Sequence, residues 1–235
     1  MTSHQQMSTT AQYGEADRTK QGYFTSLATS LRSPLIADAL DAKGLRNQCL
    51  GSGIGPLVTG TVMVGSAFPV SIAKVDSTPP VPYVGLLEAL DAIGPGDIFV
   101  AAANGAGPVA VWGELVATAS RGRGALGSLC DGYSRDSAVL RQMGFPVFCR
   151  GTVPYDSNGR SEVIGHESPV TIDGVRISMG DLVVADDDGV VIVPSAIIDE
   201  IVAAAILKDS HESDFRKAVR AGMSATEAFR KFGVL

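Results

Sequence analysis

Apolar residues recur along the chain with two different periods, and the switches between them mark out the elements of an α/β domain. Ser33 followed by Pro34 and, after two amphipathic turns, Gly44 predicts a short helix with Ser33 as its N-cap. β-rich runs at 58–64 and 67–70, punctuated by Gly60 and Gly65, predict strands that bend or admit another backbone closely. Tyr83, Leu86, Leu87, Leu90 and Ile93 are spaced for a helix, which Gly94-Pro95-Gly96-Asp97 ends before a strand at 98–102. Residues 104–107 read as a loop and 112–119 as a helix starting near Gly113-Glu114. A buried strand at 125–130, a turn at 131–136, a helix at 137–143 and a strand at 145–150 follow. A polar loop at 154–161 precedes a late β section, with 170–172 and 175–177 joined by the hairpin signal Asp173-Gly174, then 181–185 and 190–193 around Asp188-Gly189. From Ser195 to about Gly222, Ile198, Ile201, Val202, Ala205 and Ile206 fit one long helix with a charged far side.

No Pro- or Ser-rich linker separates two cores, so the reading is one β-rich α/β domain over 24–194, a flexible polar arm over 1–23 and a helical C-terminal extension over 195–235. One internal echo stands out: Gly96-Asp97 and Gly180-Asp181 each turn the chain into an apolar strand. Composition sharpens this picture. A hydrophobic content of 45% with 19% charged residues is that of a folded domain, and 27 Gly with 12 Pro favours tight turns over long helical bundles. A net charge of −6 without a basic, aromatic-studded window argues against nucleic acid. The longest apolar run, 180–194, is interrupted by Asp181 and by Asp186-Asp187-Asp188, which argues against a membrane span, and the arm lacks a secretory signal, so a cytoplasmic location is expected. Cys49, Cys130 and Cys149 have neither disulfide nor zinc spacing and read as small buried fillers.

With His4, His166 and His211 scattered, chemistry must come from carboxylates, Arg and backbone amides. The informative block is 113–136, where a helix start carrying Glu114 and a turn carrying Asp131, Arg135 and Asp136 lie one strand apart and would converge at one end of a sheet. Arg135 offers a planar fork for a carboxylate or enolate oxygen, and Asp136 an oxygen ligand for a hard divalent cation. Glu114 can orient or deprotonate a water, and the amides of Gly113, Leu115 and Val116 form an anion site at a helix start. Such a set suits a small keto acid. The same residues have a purely structural reading. Adjacent Arg-Asp pairs form solvated turn salt bridges, and a first-turn Glu complements a helix dipole. Asp131-Gly132 reads as a turn former, Asp186-Asp187-Asp188-Gly189 as a solvated hairpin, Trp112 as core or interface, and His211 and Glu212 as solvent-facing.

Trp112-Gly113-Glu114-Leu115-Val116-Ala117-Thr118-Ala119, Gly124, Gly127 and Asp131-Gly132-Tyr133-Ser134-Arg135-Asp136 together resemble the family of regulator of ribonuclease activity A, which includes the 4-hydroxy-4-methyl-2-oxoglutarate aldolases. Ile36-Ala37-Asp38-Ala39-Leu40, Gly65-Ser66-Ala67, Pro95-Gly96-Asp97, Gly144-Phe145-Pro146-Val147-Phe148 and the run 180–190 extend the resemblance from about Leu31 to Gly222. The resemblance implies a single β/β/α swivelling-type domain assembled as a homotrimer or homohexamer with sites between subunits. It implies that Asp136 binds Mg²⁺ or Mn²⁺ with waters completing the shell, that Arg135 contacts pyruvate oxygens and that Glu114 holds a metal-bound water. The amides around 113–116 would receive the pyruvyl carboxylate, and Glu212 is the nearest match to a Glu that approaches the metal region from a neighbouring subunit. The implied activity is a class II retro-aldol cleavage to pyruvate, with oxaloacetate decarboxylation on the same enolate chemistry. Other members bind ribonuclease E or an associated helicase and inhibit RNA processing, so a non-catalytic binding module is the alternative. Ser33 in place of a common Thr, Glu114 in place of an Asp found in some aldolases, and the Pro-rich segment 78–82 are departures.

Overall fold

The computed structural model describes residues 21–234, so the arm predicted for 1–23 falls outside the described residues except at its end. That end is helical: α1 (Gln21–Ser30) begins at Gln21 and leads into α2 (Ser33–Ala42). Strands β1 (Gly55–Pro56) and β2 (Met63–Lys74), helix α3 (Val84–Ala92), and strands β3 (Asp97–Ala102) and β4 (Ala110–Trp112) follow. Next come α4 (Glu114–Gly122), β5 (Gly127–Cys130), β6 (Tyr133–Ser134), α5 (Ser137–Met143) and β7 (Val147–Cys149). The remainder comprises β8 (Ser161–His166), β9 (Val170–Ile172), β10 (Val175–Ile177), β11 (Leu182–Asp186), β12 (Gly189–Val193), α6 (Ile198–Arg220) and α7 (Ala225–Phe232).

β2 organises the sheet. It runs parallel to β3 over Ser66–Ser71, and its other edge pairs antiparallel first with β11, over Met63–Ser66, and then with β8, over Val70–Lys74, with a register shift between Ser71 and Ile72. The full order is β1-β7-β5-β3-β2-β11-β12, with β8 on β2. The chain between α2 and β1 touches both outer strands. The Leu50 amide donates to Val190 O and the Ile192 amide to Gln48 O, while Gly55 and Pro56 pair with β7. That crossing nearly closes the sheet. Strands buried on both faces read as continuous apolar runs, so the 12-residue β2 looks like two pieces in the sequence, and 58–62 belongs to the turns before it. Gly65 lies inside β2, where a Cβ would come within 2.8 Å of Gly96 O, the close backbone approach expected there.

Three apolar clusters fill the fold. One lies between the sheet and α3, α4 and α5, built around Phe68, Phe99, Trp112 and Phe145, with Trp112 stacked on Phe145 at 6.0 Å. A second fills the interior around Met63, Leu129 and Phe148 and is capped by the β9–β10 hairpin. The third packs α1, α2 and α6 against β11 and β12 through Phe24, Ile36, Leu40, Ile198 and Ile201. Truncating a fully buried side chain such as Ile36 to Ala would cost about 2–5 kcal/mol. Asp173 (φ 49°) and Gly174 (φ 82°) supply the two positive-φ positions of the predicted hairpin turn.

Several local expectations need correction. Ser33 is the first residue of α2 rather than its cap: Arg32 occupies the N-cap position without a side-chain cap bond. The end of α2 is instead held by Asp186, whose Oδ2 accepts the Ser33 amide at 2.7 Å and whose Oδ1 accepts the Ser33 hydroxyl at 2.6 Å. Asp186-Asp187-Asp188-Gly189 is therefore not simply a solvated hairpin, since Asp186 is buried and Asp187 accepts the Gly60 amide. Cys130 and Cys149 are buried as expected, but Cys49 is exposed. β8 was not foreseen, nor was α7, whose Ser224 and Glu227 form a reciprocal capping box. In the echo, Asp97 Oδ2 accepts the Gly94 amide at 2.9 Å and Asp181 Oδ2 the Ser178 amide at 2.7 Å, and both turns abut β2 at Ser66 and Ala67.

Candidate functional site

The site is built on a two-stranded parallel ladder outside the main sheet. β4 pairs with β6, matching Ala110 to Tyr133 and Trp112 to Ser134, and the Arg135 amide donates to Trp112 O at 2.9 Å. The ladder delivers Gly113, at the N-cap position of α4, beside Arg135 and Asp136, which lead into α5. Contact there is tight. A Cβ on Gly113 would come within 2.9 Å of Asp136 Oδ2 and 3.2 Å of Arg135 Cγ, so a side chain there would displace the Asp136 carboxylate. Asp136 adopts a left-handed backbone (φ 56°), a conformation that Asp tolerates better than most residues and that concentrates at functional sites.

Asp136 Oδ2 accepts the Glu114 amide at 3.1 Å and lies 3.8 Å from Arg135 Nε. The Glu114 carboxylate accepts the Thr118 hydroxyl at 3.1 Å. The first main-chain bond closing α4 runs from the Ala117 amide to Gly113 O, which leaves Leu115 and Val116 with no intrahelical acceptor. All six residues singled out in the sequence block, Gly113, Glu114, Leu115, Val116, Arg135 and Asp136, line one cleft of about 490 Å³. Asp131 stands apart as a turn former. Its Oδ1 accepts the Ala103 amide and its carbonyl accepts Arg150 Nε at 2.8 Å. Trp112 is buried in the core and backs the cleft wall. Glu212 is not on the cleft: it sits on α6, 3.2 Å from Arg216 and 4.0 Å from Lys208.

Two further residues emerge from the geometry. Asp156, in the polar loop after β7, lies 3.5 Å from Arg135 through its Oδ1 and accepts the Tyr83 hydroxyl at 2.7 Å through Oδ2. Tyr83 holds the N-cap position of α3 in a left-handed conformation (φ 64°), unusual for a bulky side chain. Burial alone would raise the Asp156 pKa. The Tyr83 hydroxyl, the Arg135 charge and the amides of Ser157 and Asn158 outweigh it and hold the carboxyl below its usual range. The same hydrogen bond, followed by burial and the charge of Asp156, pushes the Tyr83 phenol above its ordinary value. A lone Tyr and a lone Asp 73 positions apart carry no shared sequence signal.

The donor set suits a hard cation that keeps much of its water. Asp136 is a half-exposed carboxylate on the cleft wall whose Oδ1 has no hydrogen-bond partner among the described residues, and Glu114 offers a second carboxylate nearby. Mg²⁺ and Mn²⁺ accept oxygen ligands and are commonly held by one or two carboxylates with waters. No cluster of three or more His, Cys, Asp or Glu suited to a metal exists among the described residues.

The family model described as Aldolase/RraA matches residues 33–192. The chain belongs to the RraA-like family. A Halalkalibacterium halodurans protein provisionally named a 4-hydroxy-4-methyl-2-oxoglutarate aldolase is 31% identical over 206 residues, covering 88% of this chain and 93% of the relative. Among solved structures, Streptomyces coelicolor RraAS2, described as an unusual member of the RNase ES inhibitor RraA protein family, superimposes with a TM-score of 0.74 at 29% identity. That match covers 84% of this chain and 98% of the other. A protein from Pseudomonas syringae pv. tomato also superimposes with a TM-score of 0.74 at 29% identity, over 87% and 96% of the two chains. The mixed α/β architecture, with its nearly closed sheet and seven helices among the described residues, is thus the RraA-like fold. No helix among the described residues is long and apolar enough to cross a membrane.

Proposed function

We propose that this RraA-like chain is a divalent-metal-dependent carbon–carbon lyase that cleaves a 4-hydroxy-2-keto acid to pyruvate, and that it decarboxylates oxaloacetate through the same enolate. The observation that carries the reading is the convergence of Arg135 and Asp136 on the N-terminus of α4, inside a cleft large enough for a small keto acid. Asp136, assisted by Glu114, would hold Mg²⁺ or Mn²⁺, which supplies Lewis-acid polarisation of the 2-keto group when bound. The unpaired amides of Leu115 and Val116 receive the substrate carboxylate at the positive end of the helix. Arg135 directs its guanidinium at the oxygen that gains charge as the enolate forms, and its ion pairs with Asp136 and Asp156 keep the fork in place.

In cleavage, a base takes the proton of the C4 hydroxyl, the C3–C4 electron pair passes into the pyruvate enolate, and C4 departs as a carbonyl. The enolate then takes a proton at C3. The Glu114 carboxylate, held by Thr118, is the cleft residue assigned to relay that first proton, directly or through water. Oxaloacetate loses CO₂ to the same enolate and needs no such base. The cleft rim also carries Leu115 and Leu87, both mostly exposed, an apolar lip that fits the homotrimer or homohexamer expected from the resemblance, with Glu212 contributed by a neighbour.

The deciding experiment measures pyruvate release from 4-hydroxy-4-methyl-2-oxoglutarate and from oxaloacetate, with Mg²⁺, with Mn²⁺ and after chelation. Metal-dependent release supports the lyase. A folded, oligomeric protein that releases pyruvate from neither favours a second reading, a binding module that inhibits an RNA-processing enzyme. That reading draws on the similarity to RraAS2.

A further inference from the structure

A second cavity, of about 350 Å³, adjoins the catalytic cleft, and Tyr83, Leu86, Val111 and Ser157 line both. One of its walls is closely packed. Gly85 of α3 packs so closely on β8 that a Cβ would come within 2.3 Å of Val163 O. Three side chains on these walls hold buried polar atoms with no hydrogen-bond partner among the described residues: Asn158 Oδ1, Ser161 Oγ and His166 Nδ1. Glu167 lies 3.9 Å from His166 Nδ1, too far for a hydrogen bond. Buried polar groups in folded proteins are almost always paired, so three orphans on one cavity call for a polar occupant. The charge of the lining selects the occupant further. Among the described residues that line it, Glu88 and Glu162 are present and no Lys or Arg is.

On these grounds we infer that this cavity receives the far half of the substrate, and that this half is uncharged and hydroxylated. The inference rests on the lyase reading and narrows it. The preferred substrate is a 4-hydroxy-2-keto acid with a polyol tail, such as 2-oxo-4,5,6-trihydroxyhexanoate, over one with a second carboxylate beyond C4. A tail carboxylate would lie among two acidic side chains with no cationic partner, whereas hydroxyls both donate to and accept from Ser, Asn and His.

The test compares kcat/KM of the full-length, Mg²⁺-supplemented oligomer for 2-oxo-4,5,6-trihydroxyhexanoate and for 4-hydroxy-4-methyl-2-oxoglutarate. Exchange of the pyruvate methyl protons with deuterated solvent, followed by NMR, reports enolate chemistry without any tail. The expected result is at least a tenfold preference for the polyol substrate, carried mainly by KM. Ser161→Ala and Asn158→Leu should each erode that preference threefold or more while leaving pyruvate exchange unchanged. Normal exchange with equal or better cleavage of the dicarboxylate overturns the inference alone, as does a preference that both variants leave intact. Absence of exchange and of cleavage overturns the lyase reading and this inference with it.

Discussion

The chain carries two acidic stretches that look equally reactive on paper, and the fold uses them in opposite ways. At 186–188, every Asp186 oxygen is committed: Ser33 occupies both through its amide and hydroxyl, and the Asp188 amide adds a third bond at 3.0 Å. Asp187 is likewise turned onto the Gly60 amide, at 2.9 Å to each oxygen. These carboxylates are tied to main-chain groups more than 120 residues away and join α2 and the turn before β2 to the β11–β12 hairpin. At the cleft, Asp136 is half-exposed and meets its neighbours at 3.1 and 3.8 Å, Asp156 meets Arg135 at 3.5 Å, and the Glu114 carboxylate accepts the hydroxyl one turn along. A buried carboxylate that already accepts three short bonds, as Asp186 does, has little capacity left for a ligand, whereas one held loosely at a solvent-facing edge does.

The largest expected effects therefore lie at the cleft and on activity. Asp136→Ala and Arg135→Ala should each reduce pyruvate release by about 10²–10³-fold or more, on the scale of removing one transition-state stabilising group. Their thermal midpoints should stay close to wild type, because neither side chain fills the core. Turnover within threefold of wild type in either variant would break the contrast at its functional end.

Asp186→Ala should do the reverse. It removes three hydrogen bonds from a buried carboxylate and the only side chain holding the start of α2 among the described residues, so a loss of about 2–3 kcal/mol is expected. Urea unfolding should show a lower midpoint with an unchanged slope. Activity per folded molecule should be retained. A variant as stable as wild type but inactive would mean the hairpin belongs to the site after all.

Tyr83→Phe is a finer probe of the cleft. Losing one hydrogen bond to Asp156 should lower kcat/KM by about three- to tenfold, the worth of a single such bond. It also has a pH signature. In the fold the Asp156 pKa is depressed, so its pairing with Arg135 persists above the ordinary carboxylate value and is lost only as pH falls through the lowered one. Without the Tyr83 hydroxyl that pKa rises, and the acid limb of the rate profile should move to higher pH. An unmoved limb would show that Tyr83 does not act through Asp156.

The contrast also explains what could be read in the chain beforehand. The alternation of periods fixed most helices and strands, and Asp173-Gly174 announced its hairpin, because these signals are local. The convergence of 113–116 with 135–136 was legible because both follow strands one crossover apart. Asp156 and Tyr83 were not, since their meeting depends on how a loop after β7 folds back over α3. The role of Asp186 was hidden for the same reason: its partner Ser33 lies 153 positions away, and Ser33 itself mimics an N-cap. β8 escaped because its half-buried residues, with Gly165 and His166 at its end, show neither a clean alternation nor a continuous apolar run. The Ser224–Glu227 capping box could have revealed α7, since it is written within four residues.

The smallest effect should come from the two Gly-Asp turns that echo each other beside β2. Asp181 accepts two amides, Ser178 at 2.7 Å and Ser195 at 2.8 Å, whereas Asp97 accepts one amide, that of Gly94, beside the Ser66 hydroxyl. Burial dominates at Asp97. It raises the carboxyl pKa, a nearby Glu167 adds to the rise, and the Gly94 amide and Ser66 hydroxyl only partly oppose it. A carboxyl whose folded pKa lies above its unfolded one favours the fold in its protonated form. Its contribution therefore falls as pH climbs from the unfolded value through the folded one. Asp97→Asn keeps an acceptor for Gly94 and removes that charge, so it should change stability by less than about 1 kcal/mol at pH 7. Measured by urea unfolding, the variant should gain on wild type as pH rises from 4 to 7. A gap that instead widens against the variant over that range would show that the Asp97 charge, like those of Asp186 and Asp187, is held by the fold rather than tolerated by it.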